Sequence, residues 1–169
     1  MLRDGHLQSD WIFSTRWFAD GERAWRSRFT LDYAVNPRFS VGLESSPGRR
    51  EVLPRATWFA TPKKGYAPAL SMGVSSDRLS IPRGHGIFLT GTWSVGEVSP
   101  FVSLKYGTDE ERLAFPFGAN VRLAPTWTLQ GLYDGNYTHL ILTTRHENQT
   151  YSLVLGKSRY LGVQTTIAF

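Results

Sequence analysis

Apolar and polar residues alternate with period two along most of the chain, and the pattern is cleanest at its end. In Tyr160-Leu161-Gly162-Val163-Gln164-Thr165-Thr166-Ile167-Ala168-Phe169, one face holds Leu161, Val163, Thr165, Ile167 and Phe169. The other holds Gly162, Gln164, Thr166 and Ala168. This is a strand with one greasy face and one small or polar face. In a soluble protein such a strand exposes an edge that invites aggregation. In a transmembrane barrel the last strand closes against the first and its apolar face meets lipid.

The alternation recurs in twelve segments, at residues 10–18, 24–34, 39–46, 53–61, 66–75, 86–94, 99–107, 113–123, 127–133, 136–145, 149–156 and 160–169. A membrane strand takes about 9–11 residues, so twelve use ~120. Eleven connections of ~4 residues take ~44 more. The total is close to the 169 residues present. Ten strands with longer loops are the alternative. The fold class predicted is therefore all-β: one antiparallel transmembrane β-barrel of about twelve strands, a single domain over 1–169, with 1–9 a disordered lead. No helix is predicted; Thr108-Asp109-Glu110-Glu111-Arg112-Leu113 is short and charged and reads as a surface loop.

An internal echo bears on the count. Tyr33-Ala34-Val35-Asn36-Pro37-Arg38-Phe39-Ser40-Val41-Gly42-Leu43 parallels Val121-Arg122-Leu123-Ala124-Pro125-Thr126-Trp127-Thr128-Leu129-Gln130-Gly131. Each is a strand, a tight turn containing proline, then an aromatic opening the next strand. With twelve strands and a periplasmic start, both turns join an even strand to an odd one and fall on the periplasmic side, where short turns belong. The longest connection, 76–85, then falls outside. Aromatics sit where interfacial belts would place them: Tyr33, Phe39, Trp93, Phe101, Trp127, Tyr151 and Phe169 at one end, and Trp25, Tyr106, Phe115 and Tyr133 at the other.

Charge decides which face is which, because an Arg at the midplane of a barrel wall costs ~2–4 kcal/mol. Phe29, Leu31, Val41, Leu43, Leu104, Val121, Leu129, Leu153, Val163, Ile167 and Phe169 are expected outward. The predicted lumen-lining basic residues are Arg16, Arg26, Arg28, Arg55, Lys105, Arg122 and Arg145, with Asp32 and Glu44 as the lumen acids. Asp134-Gly135 reads as a two-residue hairpin loop pairing Tyr133 with Asn136, which turns Tyr137, His139, Ile141, Thr143 and Arg145 inward. A narrow basic tube favours small anions. The competing reading is that these arginines pair with the acids, backbone and water and fill the interior.

Composition narrows the function classes. There is no cysteine, and no apolar run reaches the length of a membrane helix. A negative mean hydropathy does not exclude a barrel, since only alternate residues face lipid. The net charge of +5 is spread over many strands, which argues against a nucleic-acid partner. The histidines, His6, His85, His139 and His146, show no metal-ligand spacing, so no metal or other cofactor is predicted. His139 with Ser152 on the next strand is the one nucleophile–base pairing on offer, and no carboxylate is evidently placed to orient it. No catalytic residue is assigned. The start of the chain, Met1-Leu2-Arg3-Asp4-Gly5-His6, has no apolar core and is not an export signal. An exported protein with this sequence has had its signal removed or lost.

The closing strand ending in Phe169, the stretch from Trp127-Thr128-Leu129-Gln130-Gly131-Leu132-Tyr133-Asp134-Gly135 onward, Val35–Leu43 and Ser75-Ser76-Asp77-Arg78 resemble uncharacterised bacterial outer-membrane β-barrel proteins. The resemblance implies a Gram-negative outer membrane, a lipid bilayer as partner, and barrel-assembly machinery during insertion. It carries over no site residues. Three functions remain open: a narrow pore or wall component with a basic lumen and weak anion preference, an outer-membrane lipid hydrolase using His139, and a soluble lipocalin-type barrel binding an apolar ligand.

Overall fold

A computed structural model describes residues 10–19, 27–62, 66–75, 85–109 and 111–169. The predicted lead at 1–9, Trp25, Arg26 and most of the long 76–85 connection lie outside the described residues. Among the described residues there are thirteen strands: β1 (Trp11–Phe18), β2 (Ser27–Asn36), β3 (Phe39–Ser46), β4 (Glu51–Thr61), β5 (Ala69–Ser75), β6 (Gly86–Thr92), β7 (Val98–Gly107), β8 (Arg112–Ala114), β9 (Phe117–Ala124), β10 (Trp127–Tyr133), β11 (Thr138–His146), β12 (Gln149–Gly156) and β13 (Tyr160–Ala168). Each wall strand pairs antiparallel with its neighbour in sequence, and β1 pairs β13, so the sheet closes on itself. The wall has twelve strands, as the alternation predicts, and β8 is the extra one.

The extra strand has a physical origin. The segment 113–123 was expected as one strand, but the ladder breaks at Phe115-Pro116. The register does not break: Lys105 pairs Ala114, and three residues back along β7 Val102 pairs Phe117. Ser103 N–H still bonds the Pro116 carbonyl at 2.7 Å. Pro116 has no N–H to return the bond. β8 and β9 are therefore one wall strand with one missing half-pair.

The two echoed turns are alike in structure. Pro37-Arg38 and Pro125-Thr126 form both turns. In each, the register slips once just before the turn, leaving Val35 and Leu123 as the extra residues. Both are exposed, at 50% and 56%. These bulges fall at one end of the barrel, with the Glu147-Asn148 turn, and this is called the turn end below. The opposite loop end carries the Pro47–Arg49 3₁₀ turn, Asp134–Tyr137 and Lys157–Arg159.

The register separates the two faces. Trp17, Leu31, Leu43, Leu104, Val121, Leu129, Leu153, Val163 and Ile167 share the outer face. Among the described strand residues, no Asp, Glu, Lys or Arg takes the outer register. Two aromatic assignments change. Phe101 is in register with Gly118 and Thr92 on the inner face, where Gly118 leaves room for its ring. Tyr137 is not in a strand and is half exposed, with the Lys157 ammonium 4.6 Å from its ring centre.

Burial inside is uneven. Phe18, Glu44, Ser46, Lys105, Ala114, Asp134, His139, Ile141 and Val154 are all buried, and all lie toward the loop end. They come from strands around much of the circumference. At the turn end Arg122 and Arg145 are exposed.

Candidate functional site

The middle of the barrel holds a polar cavity of about 140 Å³, lined by Ser14, Arg16, Arg28, Thr30, Asp32, Arg55 and Gln164 among others. Residues of β1, β2 and β4 and of the closing strand β13 line it. Arg16 on β1 stands directly opposite Arg28 on β2, and opposite Gln164 on β13. Arg28 Nε lies 3.3 Å from Glu44 Oε2 on β3. Arg55 Nε on β4 lies 3.1 Å from Asp32 Oδ1 on β2. That second pair reaches over β3, which places Gly42 between them. A Cβ at Gly42 would fall 2.3 Å from Asp32 Oδ1 and 2.4 Å from the Leu31 carbonyl. Glycine is therefore what lets the Asp32 carboxylate lie over β3 and meet Arg55. Arg16 Nε donates to Gln164 Oε1 at 2.8 Å, and Ser14 and Thr166 share a hydroxyl bond of 2.9 Å across the closing seam.

The other charged residues named from the sequence lie apart from this cluster. Lys105 is buried, in register between Phe88 and Ala114. Arg122 is at the turn end, 3.6 Å from Glu97, with both side chains about two-thirds exposed. Its strength is that of a surface pair, ~0–1 kcal/mol. Arg145, also at the turn end, donates to the Glu147 carbonyl. Two inner-register charges were missed, Glu51 and Arg112. Arg112 was assigned to a loop, yet its position after Thr108–Glu111 and before an alternating run is the signal that a strand had begun. Its guanidinium donates to Asn136 Oδ1.

His139 has a carboxylate partner that the sequence did not reveal. The expected two-residue loop at Asp134-Gly135 is a longer one, because Tyr133 pairs Thr138 and not Asn136. Asp134 Oδ1 accepts the Asn136 and Tyr137 N–H groups, each at 2.8 Å, which opens the turn. Its Oδ2 lies 2.8 Å from His139 Nε2. The Lys157 backbone N–H donates to His139 Nδ1 at 3.1 Å. An Nδ1 that accepts is unprotonated, so Nε2 carries the hydrogen and donates it to Asp134. His139 is fully buried and Asp134 nearly so. The ring thus ties the β10–β11 turn to the β12–β13 turn, and both of its nitrogens are in use. Ser152 is bonded to Thr143 Oγ1 at 2.9 Å, four residues from His139 along β11. This arrangement holds two loops together; it does not present a base to a nucleophile.

Beside the histidine, Phe18, Ile141, Val154 and Tyr160 form an apolar cluster. Gly156 and Gly162 form the floor under Phe18, where a Cβ at either would meet the ring at under 3.0 Å. The loop end is thereby filled on the β11–β13 side. Among the described residues no group of three His, Cys, Asp or Glu side chains is placed to hold a metal ion.

No protein family matches the sequence, and no curated protein does. Among solved structures, a triple mutant of the porin of Rhodopseudomonas blastica aligns over 94% of this chain and 98% of that one, at 8% identity and a TM-score of 0.37. Correspondence that loose adds nothing to what the closed wall and its two faces establish.

Proposed function

We propose that this chain is an integral outer-membrane β-barrel that acts as a narrow pore or wall component, with a basic interior that favours small anions. One observation carries the reading: every Asp, Glu, Lys and Arg in the described strands avoids the outer register, while apolar side chains such as Leu43, Leu153 and Val163 stand about half exposed on it. In water an apolar belt of this extent is an aggregation hazard; against hydrocarbon it is the solvent-matched surface. A lipocalin-type barrel needs the opposite orientation, with its apolar faces inward and its charges outward. On the inner register the described basic residues are Arg16, Arg28, Arg55, Lys105, Arg112, Arg122 and Arg145, against Asp32, Glu44 and Glu51.

The packed loop end makes any conductance small. Permeation past Phe18 and His139 is obstructed on one side, so solutes pass beside the Arg28–Glu44 and Arg55–Asp32 pairs or not at all. The hydrolase reading is disfavoured by the occupied nitrogens of His139. Two experiments test the proposal. The purified chain should need detergent and should migrate differently on a gel before and after boiling. In planar bilayers with a salt gradient, the reversal potential should indicate anion preference. Solubility without detergent sinks the membrane reading, and a cation-selective potential sinks the charge reading.

A further inference from the structure

The turn between β12 and β13 is held in a conformation that its own residues do not favour. Lys157 and Ser158 have φ of 52° and 55°, and the Arg159 N–H bonds the Gly156 carbonyl at 3.1 Å. Two left-handed residues in succession make the tight hairpin turn that Asn-Gly or Gly-Gly suits. In a lysine and a serine it is strained, and it persists only where the surroundings hold it. A buried contact does so here: the Lys157 N–H donates to His139 Nδ1 at 3.1 Å. Two further ties, Ser158 Oγ to the Thr138 carbonyl and the Lys157 ammonium over the Tyr137 ring, lie at the exposed rim. Water competes for both, so each contributes little.

Nδ1 is also the one ring atom that can take up a proton, since Nε2 already carries its hydrogen toward Asp134. A proton there sets two donors face to face and ends the Lys157 bond. The same charge makes the contact from Nε2 to Asp134 Oδ2 a charge-assisted one. Asp134 Oδ1 still accepts the Asn136 and Tyr137 N–H groups. We propose that His139 is a proton-operated latch, which on acidification releases the β12–β13 turn and keeps its grip on the β10–β11 turn. Among the described residues, the charged groups around the ring work in the same direction. Lys157 and Arg159 stand on the turn that is released, their cations over the Tyr137 and Tyr160 rings, and an imidazolium repels both. Asp134 stands on the turn that is kept. From β8, Arg112 is bonded to Asn136 of that same turn, and Lys105 on β7 is in register with Ala114, beside Gly135. β1 and β12 bring Phe18 and Val154. What opens is the lip over the filled side of the loop end, because the released turn feeds directly into Tyr160 of the apolar cluster. The latch does not depend on conduction or on anion preference.

The test is NMR of the isotope-labelled full chain in detergent micelles, from about pH 8 to about pH 4.5, which spans the ordinary titration of imidazole. His139 Nδ1 should gain a proton in that range. With the same midpoint, the Lys157 amide should lose its hydrogen-bonded shift and roughly tenfold or more of its exchange protection, corrected for the intrinsic pH dependence of exchange. The Asn136 and Tyr137 amides should keep theirs. His139→Gln, whose side-chain amide both accepts and donates, should hold the Lys157 amide at every pH. An imidazole that stays neutral to the end of the range overturns the latch. A Lys157 amide still protected once the imidazole is charged overturns it, and so does loss of both turns together. An unchanged acid response in His139→Gln assigns the response to another group and overturns it as well. Should that variant fail to fold, the wild-type titration decides alone.

Discussion

Replacing Phe18 with alanine tests the packed end of the barrel directly. The side chain is 5% exposed and rests on Gly156 and Gly162 beside Val154 and Ile141. A phenylalanine buries at least ~150 Å², which at ~25 cal/mol per Å² amounts to about 4 kcal/mol of transfer energy. Reference-state compactness lowers that figure somewhat. The cavity left behind raises it, since a glycine floor has no side chains that can swing in to fill the gap. The expected loss is therefore ~3–5 kcal/mol. The assay is equilibrium urea unfolding of the barrel in short-chain lipid vesicles, followed by tryptophan fluorescence and by the gel shift. The same variant should raise single-channel conductance, because the removed ring lies on the inner face. A loss below about 1 kcal/mol with unchanged conductance would show that Phe18 neither packs nor obstructs, and the description of a filled loop end would be wrong.

The other outcomes concern the outer face and the histidine tie. Leu31→Arg places a charge mid-wall, at the centre of β2, and should destabilise the bilayer-inserted barrel by ~2–4 kcal/mol in the same unfolding assay, with little effect in a lipid-free soluble state if one existed. Asp134→Ala strips three acceptor contacts, two to backbone N–H groups and one to His139. Leaving the buried His139 donor unmet and the turn without its acceptor should cost ~3–5 kcal/mol, and it should expose the 134–137 and 157–159 turns to limited proteolysis before the wall unfolds.

Much of this architecture was legible because a barrel wall imposes one rule, alternation, on every strand. Leu31, Val121 and Val163 declare their face by their neighbours Asp32, Arg122 and Gln164. The paired prolines of the echo declare two turns on one side. What the alternation does not encode is stagger. Asp134 meets His139 because the turn is two residues longer than Asp-Gly suggested, a difference that preserves parity and so leaves the face of every β11 residue unchanged. Parity was therefore right for Leu140 and Leu142 while the partners were wrong. The Arg55–Asp32 pair across β3 was equally hidden: it depends on Gly42, between them in the register, leaving room for the Asp32 carboxylate. Pro116 was visible, but its effect was not, since a missing N–H interrupts the ladder without moving the register.

The closing seam between β1 and β13 has a kinetic consequence. Every other wall pairing joins strands consecutive in sequence, so the sheet can zip hairpin by hairpin. Ser14 and Thr166, by contrast, are 152 positions apart. Closing so long a loop costs entropy that grows as about (3/2)RT ln n, and it returns no contact energy until the seam forms. Closure is then the slow step, taken by a sheet that is otherwise complete. A slip of one residue there would set inward Arg16 against an outward residue of β13 and outward Trp17 against an inward one. The Arg16–Gln164 and Ser14–Thr166 bonds form only in the correct register, so they act as proofreading contacts for the last event in assembly.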